Sequence, residues 1–443
     1  MNIAKVVFCN FRTNLRNDGP LLLSLAFSVL ILLNFLMILF TDAFLNAGEY
    51  GKNIINDIMS AGSILLGCFI FFFVWYSTDI FLVRYKRESG IYVLLGLNSE
   101  LAGRLYLAQT LMTGLAVLAL GLFSGILITP LFQMILGAVS GIKVELTFQF
   151  AAEPLYITAG VFLSIYFLFS VWGYANITRC SVLGMIPASR SGERDMMSTR
   201  GLLYRAVSGA GSLAGGCYLS ASKGRAFLAA GALMTAGIYQ VFGGLLPLVL
   251  CHLSADKGFL YRKERIIWIN NAACRMSRNH GTYATACVLM LWAQTALAAG
   301  SAIKEWYGAA DITPDQGGTA WGRILYAVAI CMFLVFLMAG GSVMLAKVHQ
   351  DILGEKEHYA FLRKTGMDPD ILLRAVSREL AMIYACPFVV MLPVSVFLVC
   401  ALERLMTVDL GMVYIVGMFF TSGFFFLLYL LSIMLYGKSN GNR

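Results

Sequence analysis

Four histidines, ten cysteines and a terminal Gly-Lys-Ser are the residues here that could do chemistry by type, and their spacing directs them away from it. His252, His280, His349 and His358 are scattered, with no HExxH or other paired spacing, so no metal-ligand set forms. The cysteines contain no CxxC pair, which removes a redox motif, a zinc site and a disulfide framework. There is no GxSxG nucleophile elbow. The stretch SIMLYGKS (Ser432–Ser439) ends like a phosphate-binding loop, but Ser432 stands where that loop needs Gly, and an apolar run precedes it instead of a strand. Two carboxylates, Asp79 and Glu379, fall near the ends of apolar runs. Charge at membrane depth hints at function, but here the nearby Arg84 and Arg378 predict snorkelling or local pairing. A chain with no catalytic cluster and no nucleotide site must take energy for any work from another chain.

What does stand out is RYKRESGIYVLLGLNSELAGR, from Arg84 to Arg104, which interrupts apolar sequence on both sides. A second segment, EKEHYAFLRKTGMDPDILLR (Glu355 to Arg374), aligns with it at a constant offset of 270: Lys86 on Lys356, Gly96 on Gly366, Leu97 on Met367, Arg104 on Arg374. Each predicts helix–turn–helix. Gly96 and Gly366 suit the left-handed residue that ends a helix. Asn98 then caps the next helix with Glu100 in its first turn. In the second copy Asp368 caps, Pro369 takes the first helical position and Asp370 follows. Ahead of each Gly lies an apolar patch: Ile91, Tyr92 and Leu95 in one, Phe361 and Leu362 with Tyr359 nearby in the other. Two uses fit a short amphipathic helix of this kind. One is an interfacial anchor with its apolar face in the lipid headgroups. The other is a docking knob for a cytoplasmic partner, and two equivalent knobs suit a partner with two equivalent sockets.

The elements that position these segments are set by composition. Hydrophobic residues make up 59% of the 443 and charged residues 13%, whereas soluble domains carry about 25% charged residues. Ten apolar runs are long enough to be spans: roughly 19–41, 58–82, 106–136, 153–175, 202–220, 226–250, 282–300, 322–346, 379–402 and 411–436. The expected fold is therefore an all-α polytopic membrane protein with about ten transmembrane helices. Residues 1–17 read as a short basic helix at the cytoplasmic surface. With the N-terminus inside, 26 of the 33 Lys and Arg fall in inner segments and 7 in outer ones. The positive-inside rule then places both termini in the cytoplasm. The net charge of +9 reflects this topology and attraction to anionic membrane lipid. Because the basic residues are spread over separate inner segments, no nucleic-acid role is expected. Gly121/Gly125 and Gly211/Gly215 are small-xxx-small pairs that let helices pack closely.

The residues Phe81 to Leu97, FLVRYKRESGIYVLLGL, resemble the signature of FtsX-like ABC transporter permeases: a basic cluster followed by E-x-G-x-Y-x-L-L-G-M. The second segment resembles the second copy found in ten-span permeases of the bacitracin-resistance (BceB-like) type. KVVFCNFRTNLRN near the start and NNAACRMSRNHGTYATA after the sixth run also look like that subfamily. The resemblance implies two FtsX-like four-helix units with two cytoplasmic coupling helices. Residues 1–175 would be the first unit, with coupling segment 84–104. Residues 176–281 would be a linker and spans 5–6 with the cytoplasmic segment 251–281. Residues 282–443 would be the second unit, with coupling segment 355–374. It further implies the membrane subunit of a type VII ABC transporter in a bacterial cytoplasmic membrane. Such a subunit holds no cofactor, and ATP and Mg lie on two partner ATPase subunits. ATPase contacts carry over to Glu88, Gly90, Tyr92, Leu95 and Gly96, and to Glu357, Tyr359, Leu362, Gly366 and Met367. Members of this type confer resistance to antimicrobial peptides and commonly work with a sensor histidine kinase.

One feature departs from that pattern. The family carries a large extracellular domain between spans 7 and 8, whereas here the connection Ser301 to Trp321 is too short to fold as a domain. Trp306, Tyr307, Asp311 and Asp315 on it mark either a membrane-interface belt or a small dock for a cationic peptide or accessory protein. Outer segments hold ten acidic against seven basic residues, which suits a cationic partner. Two other readings stand beside the peptide-resistance permease: a secondary transporter, and a permease handling lipids or lipoproteins.

Overall fold

The computed structural model describes residues 19–40, 48–140, 152–180, 199–221, 227–255, 265–309, 318–354, 361, 364–366 and 369–441. The expected surface helix at 1–17, the cap Asp368, and the candidate residues Asp311, Asp315, Glu357, Tyr359, Leu362 and Met367 lie outside these residues. Among the described residues the regular structure is entirely helical. The helices are α1 (Gly19–Phe40), α2 (Gly48–Leu94), α3 (Ser99–Ser140), α4 (Ala152–Arg179), α5 (Thr199–Ala221), α6 (Phe227–Gln240), α7 (Leu246–Ala255), α8 (Arg265–Arg278), α9 (His280–Ala309), α10 (Gly318–Gly354), α11 (Pro369–Met406) and α12 (Gly411–Gly441). A π-turn, Val241–Leu245, joins α6 to α7, so one span is built from three pieces.

Nine helical stretches among the described residues are long and apolar enough to cross a membrane. They account for every expected run except 202–220. That run does form a helix, α5, of 23 residues. Its many Gly and Ser and the charge of Arg205 leave it less apolar than the others.

The chain divides into two compact units. One comprises Met1–Ser189 with Ile303–Val335, the other Arg190–Ala302 with Phe336–Arg443. In the first unit α1 is apolar all round and is buried on nearly every side, as expected of a central helix. It packs against α2, α3 and α4. The contact with α3 is close because Gly121 and Gly125 face it: an added Cβ would lie 2.8 Å from Val29 at one and 2.8 Å from Leu33 at the other. Asn34 on α1 donates to the carbonyl of Gly125 (3.3 Å) and to that of Leu30 (2.8 Å), which occupies its amide in an apolar setting.

The second expected pair behaves differently. Gly211 and Gly215 have open space around them, whereas Gly209 and Gly216 meet Gln240 and Met234. A helix turns about 100° per residue, so this close-packing stripe lies on a different face of α5 from the one the short motif suggests. Gly121→Leu should therefore overpack α1 against α3 and cost about 1–3 kcal/mol. Gly211→Leu should be silent. Thermal unfolding of the two variants in detergent separates these outcomes.

In the second unit α11 and α12 are linked by hydroxyl pairs: Tyr384 with Ser432, Ser377 with Tyr429, and Ser395 with Tyr414, each 2.8 Å. Gln294 on α9 donates to Thr421 on α12 (2.7 Å). α8 packs on α11 and α7.

Candidate functional site

The first charged segment is carried by one uninterrupted helix. α2 holds 47 residues, about 70 Å at 1.5 Å per residue, against about 30 Å of hydrocarbon. Its membrane span ends at Asp79, whose side chain is exposed. The remaining turns to Leu94 extend about 22 Å further. The sequence predicts a separate short helix here. No proline or paired breaker separates Asp79 from Leu94, and Ser89-Gly90 is buried and stays helical, so the span simply continues.

The helix stops through main-chain geometry. Gly96 has φ +96°. Its N–H donates to the carbonyl of Val93 (3.0 Å), and the N–H of Leu97 donates to that of Tyr92 (3.0 Å). These two bonds form a Schellman motif, which Gly tolerates at no Cβ cost. Asn98 then caps α3: its Oδ1 accepts from the N–H of Glu100 (3.4 Å) and its carbonyl from that of Ala102 (3.1 Å). Glu100 pairs with Arg104 one turn on (2.8 Å) at an exposed surface.

This turn leaves an apolar tip. Ile91 is 50% exposed, Leu94 64% and Leu95 76%. Tyr92 and Glu88 are half-buried and Gly90 is buried. Leu94, absent from the sequence-based set, joins the patch because it lies three residues after Ile91 on the same face. Sequence spacing could have found it. The tip is flanked by the basic run before it and by the Glu100–Arg104 pair after it. A contiguous apolar patch with a polar rim marks an interaction site.

In the second unit the turn is repeated. Gly366 has φ +94°. The N–H of Thr365 donates to the carbonyl of Phe361 (3.0 Å), as that of Leu95 does to Ile91 (3.1 Å), and both donor and acceptor are displaced by 270. Phe361, the counterpart of Ile91, is 62% exposed. The next helix begins at Pro369, which is Ser99 displaced by 270. A weak sequence match is thus, among the described residues, a match of one turn hydrogen bond, of the glycine conformation and of helix start.

At the other candidate site, Trp306 is exposed and Tyr307 half-buried at the end of α9, with rings edge to face at 5.1 Å. Lys304 Nζ sits 4.8 Å from the ring centroid of Tyr326 on α10. Gly322 lets the two helix ends approach, since a Cβ there would meet Lys304 and Tyr307. The described part of this site is thus aromatic, with one cation, Lys304, and one exposed carboxylate, Glu305.

Glu379 has a long-range partner that the sequence reading did not foresee. It is buried and forms an ion pair with Arg275 of α8, Nε to Oε1 3.0 Å, with side-chain exposures of 1% and 2%. The partner lies more than a hundred residues away in sequence, beyond the reach of any spacing rule.

Residues 59–182 match the family model described as FtsX-like permease C-terminal. This stretch includes the first charged segment and its Gly96 turn. The bacitracin export permease protein BceB of Bacillus subtilis is 29% identical over 193 residues, 44% of this chain and 30% of that protein. The ABC transporter permease protein YxdM of the same organism is 26% identical over 315 residues, 70% of this chain and 50% of that protein. An uncharacterized ABC transporter permease of that organism, YvcS, is 26% identical over 223 residues, 50% of this chain and 34% of that protein. The chain thus aligns with half or less of the length of these curated relatives. It is a multi-pass chain, all-helical among the described residues and similar to ABC transporter permeases, and its residues 59–182 resemble an FtsX-like permease domain.

Proposed function

We propose that this chain is a permease subunit of a type VII ABC transporter, driven by two ATPase subunits that dock on the segments 84–104 and 355–374. ATP and Mg would sit on those partners. The observation that carries this reading is the repeated turn, in which Ile91 and Phe361 project before a left-handed glycine in the same hydrogen-bonded frame. A homodimeric ATPase offers two equal sockets, and two equal knobs answer them. On this reading both segments and both termini face the bacterial cytoplasm. The domain boundaries follow the two copies, with residues 1–175 and 282–443 as four-helix units around 176–281.

The relatives' names point to a peptide antibiotic as the class of substrate, and a sensor histidine kinase would be a further partner. The work done outside would be a movement transmitted across the bilayer. With only the short connection 301–321 where a large extracellular domain would stand, a substrate would be met between the spans, at Trp306 and Tyr307 with Asp311 and Asp315, or on another chain.

Co-expression with the cognate ABC ATPase and native mass spectrometry of the purified complex tests the docking. The expected result is two ATPases per permease. A stable complex with one, or none, would overturn the reading.

A further inference from the structure

Arg275, Asn279 and Tyr283 are spaced by four residues, so they form one stripe along α8 and the start of α9. The two helices are separated only by Asn279. Its N–H donates to the carbonyl of Arg275 (2.8 Å), and its own carbonyl accepts from Thr282 (3.0 Å) and Tyr283 (3.4 Å). The helical hydrogen-bond path thus runs almost unbroken from α8 into the membrane span that follows.

Each flank of the second charged segment is tied to this stripe. On the near side, Asp351 in the last turn of α10 accepts from Asn279 Nδ2 (3.1 Å) and is approached by Lys347 one turn back (3.6 Å). On the far side, Glu379 of α11 pairs with Arg275 (3.0 Å). Tyr283, fully buried, lies within electrostatic reach of Asp351, Arg275 and Glu379. The two helices that flank the segment, α10 at Asp351 near its end and α11 at Glu379 about three turns in, are therefore fastened to one third element.

Packing alone does not call for this arrangement. A buried ion pair is a weak source of stability, and hydrophobic residues of similar volume often replace one without loss. What charges add is a fixed register, because a pair that slides apart leaves both ions unsolvated. Two such fastenings, one on each flank, convert a shift of the segment into a shift of the stripe.

We infer that Arg275, Asn279, Asp351 and Glu379 form a transmission clamp. It passes movement of the second docking segment to α8 and, through Asn279, to α9. The inference rests on the proposed docking of an ATPase at 355–374. These are positioning residues, since none of them would touch nucleotide or ATPase. α8 is strongly amphipathic and would ride on the membrane surface as the lever that the clamp moves.

The test uses the full complex with its ATPases and hydrogen–deuterium exchange with and without ATP and vanadate. In the wild type, ATP should change exchange in residues 355–374 and also in 265–283. The variant R275M/E379M keeps volume and removes charge. It should fold, bind both ATPases and keep the change at 355–374, while the change at 265–283 falls at least several-fold, the Asn279–Asp351 link alone remaining. A change that reaches 265–283 undiminished in the double variant would show that packing suffices and overturn the clamp. So would a wild-type response confined to 355–374. Failure of the ATPases to bind the wild-type chain is a separate outcome. It would overturn the docking reading, and the clamp with it. N279A provides an independent check, since it cuts the side-chain link to Asp351, along with the Asn279–Tyr283 contact, and should reduce the signal at 265–283 without removing either member of the Arg275–Glu379 pair.

Discussion

Replacing Ile91 and Leu95 with Asp is expected to free the first docking segment of its ATPase while membrane insertion persists. Both side chains are at least half exposed in the free chain, so the substitutions cost the isolated permease little. In a socket the balance reverses. Burial of each apolar side chain contributes about 1.5–3 kcal/mol, and an Asp there would be desolvated without a partner. Losing about 3 kcal/mol or more weakens binding at least 100-fold, since 1.4 kcal/mol is tenfold. Phe361→Asp should do the same at the second segment. A single-segment variant should then hold one ATPase, and the combined variant none. Leu94→Asp should behave like Leu95→Asp, which tests the one member of the tip that sequence patterning left out. Native mass spectrometry counts the ATPases, and membrane fractionation confirms insertion. If all variants retain two ATPases, the apolar tips lie in the headgroup region as anchors, and docking uses other surfaces.

Much of this site was legible in sequence because its determinants are local. A glycine that must adopt positive φ, an Asn or Pro that starts the next helix, and apolar residues one turn earlier all lie within about ten positions of each other. The offset of 270 was readable for the same reason, and it reappears in the hydrogen bonds and helix starts. The helices were legible because a bilayer demands long apolar runs. The shortfall at 202–220 is a matter of degree, since Gly and Ser make α5 helical but weakly apolar. Where the reading stopped, the cause was three-dimensional. Helix α2 passes through its charged stretch because nothing breaks it. The close-packing glycines of α5 are Gly209 and Gly216 instead of Gly211 and Gly215, because the face that meets α6 is set by the neighbour and not by the motif. Glu379 has Arg378 beside it in sequence, but its buried ion-pair partner in the fold is Arg275 of α8, which no local pattern points to.

That partner sets the largest stability effect expected in the chain. Arg275→Met removes the guanidinium and takes the ion-pair partner from Glu379 in a site where its side chain is 1% exposed. Removing one partner of a buried pair typically costs about 3–5 kcal/mol, a large share of the roughly 5–15 kcal/mol that holds a domain folded. The single variant should therefore lose its monodisperse peak on mild heating in detergent, at temperatures the wild type survives. Combining it with Glu379→Met removes that carboxylate and should restore most of the midpoint, although two changes rather than one now separate the chain from wild type. Glu379→Met alone should be as harmful as Arg275→Met, because an unpaired guanidinium is equally costly to bury. The ordering single, single, then double is what distinguishes a closed ion pair from two charges that water can reach. If Arg275→Met unfolds at the wild-type temperature, solvent or lipid headgroups reach Glu379, and the pair contributes no more than an exposed one, about 0–1 kcal/mol.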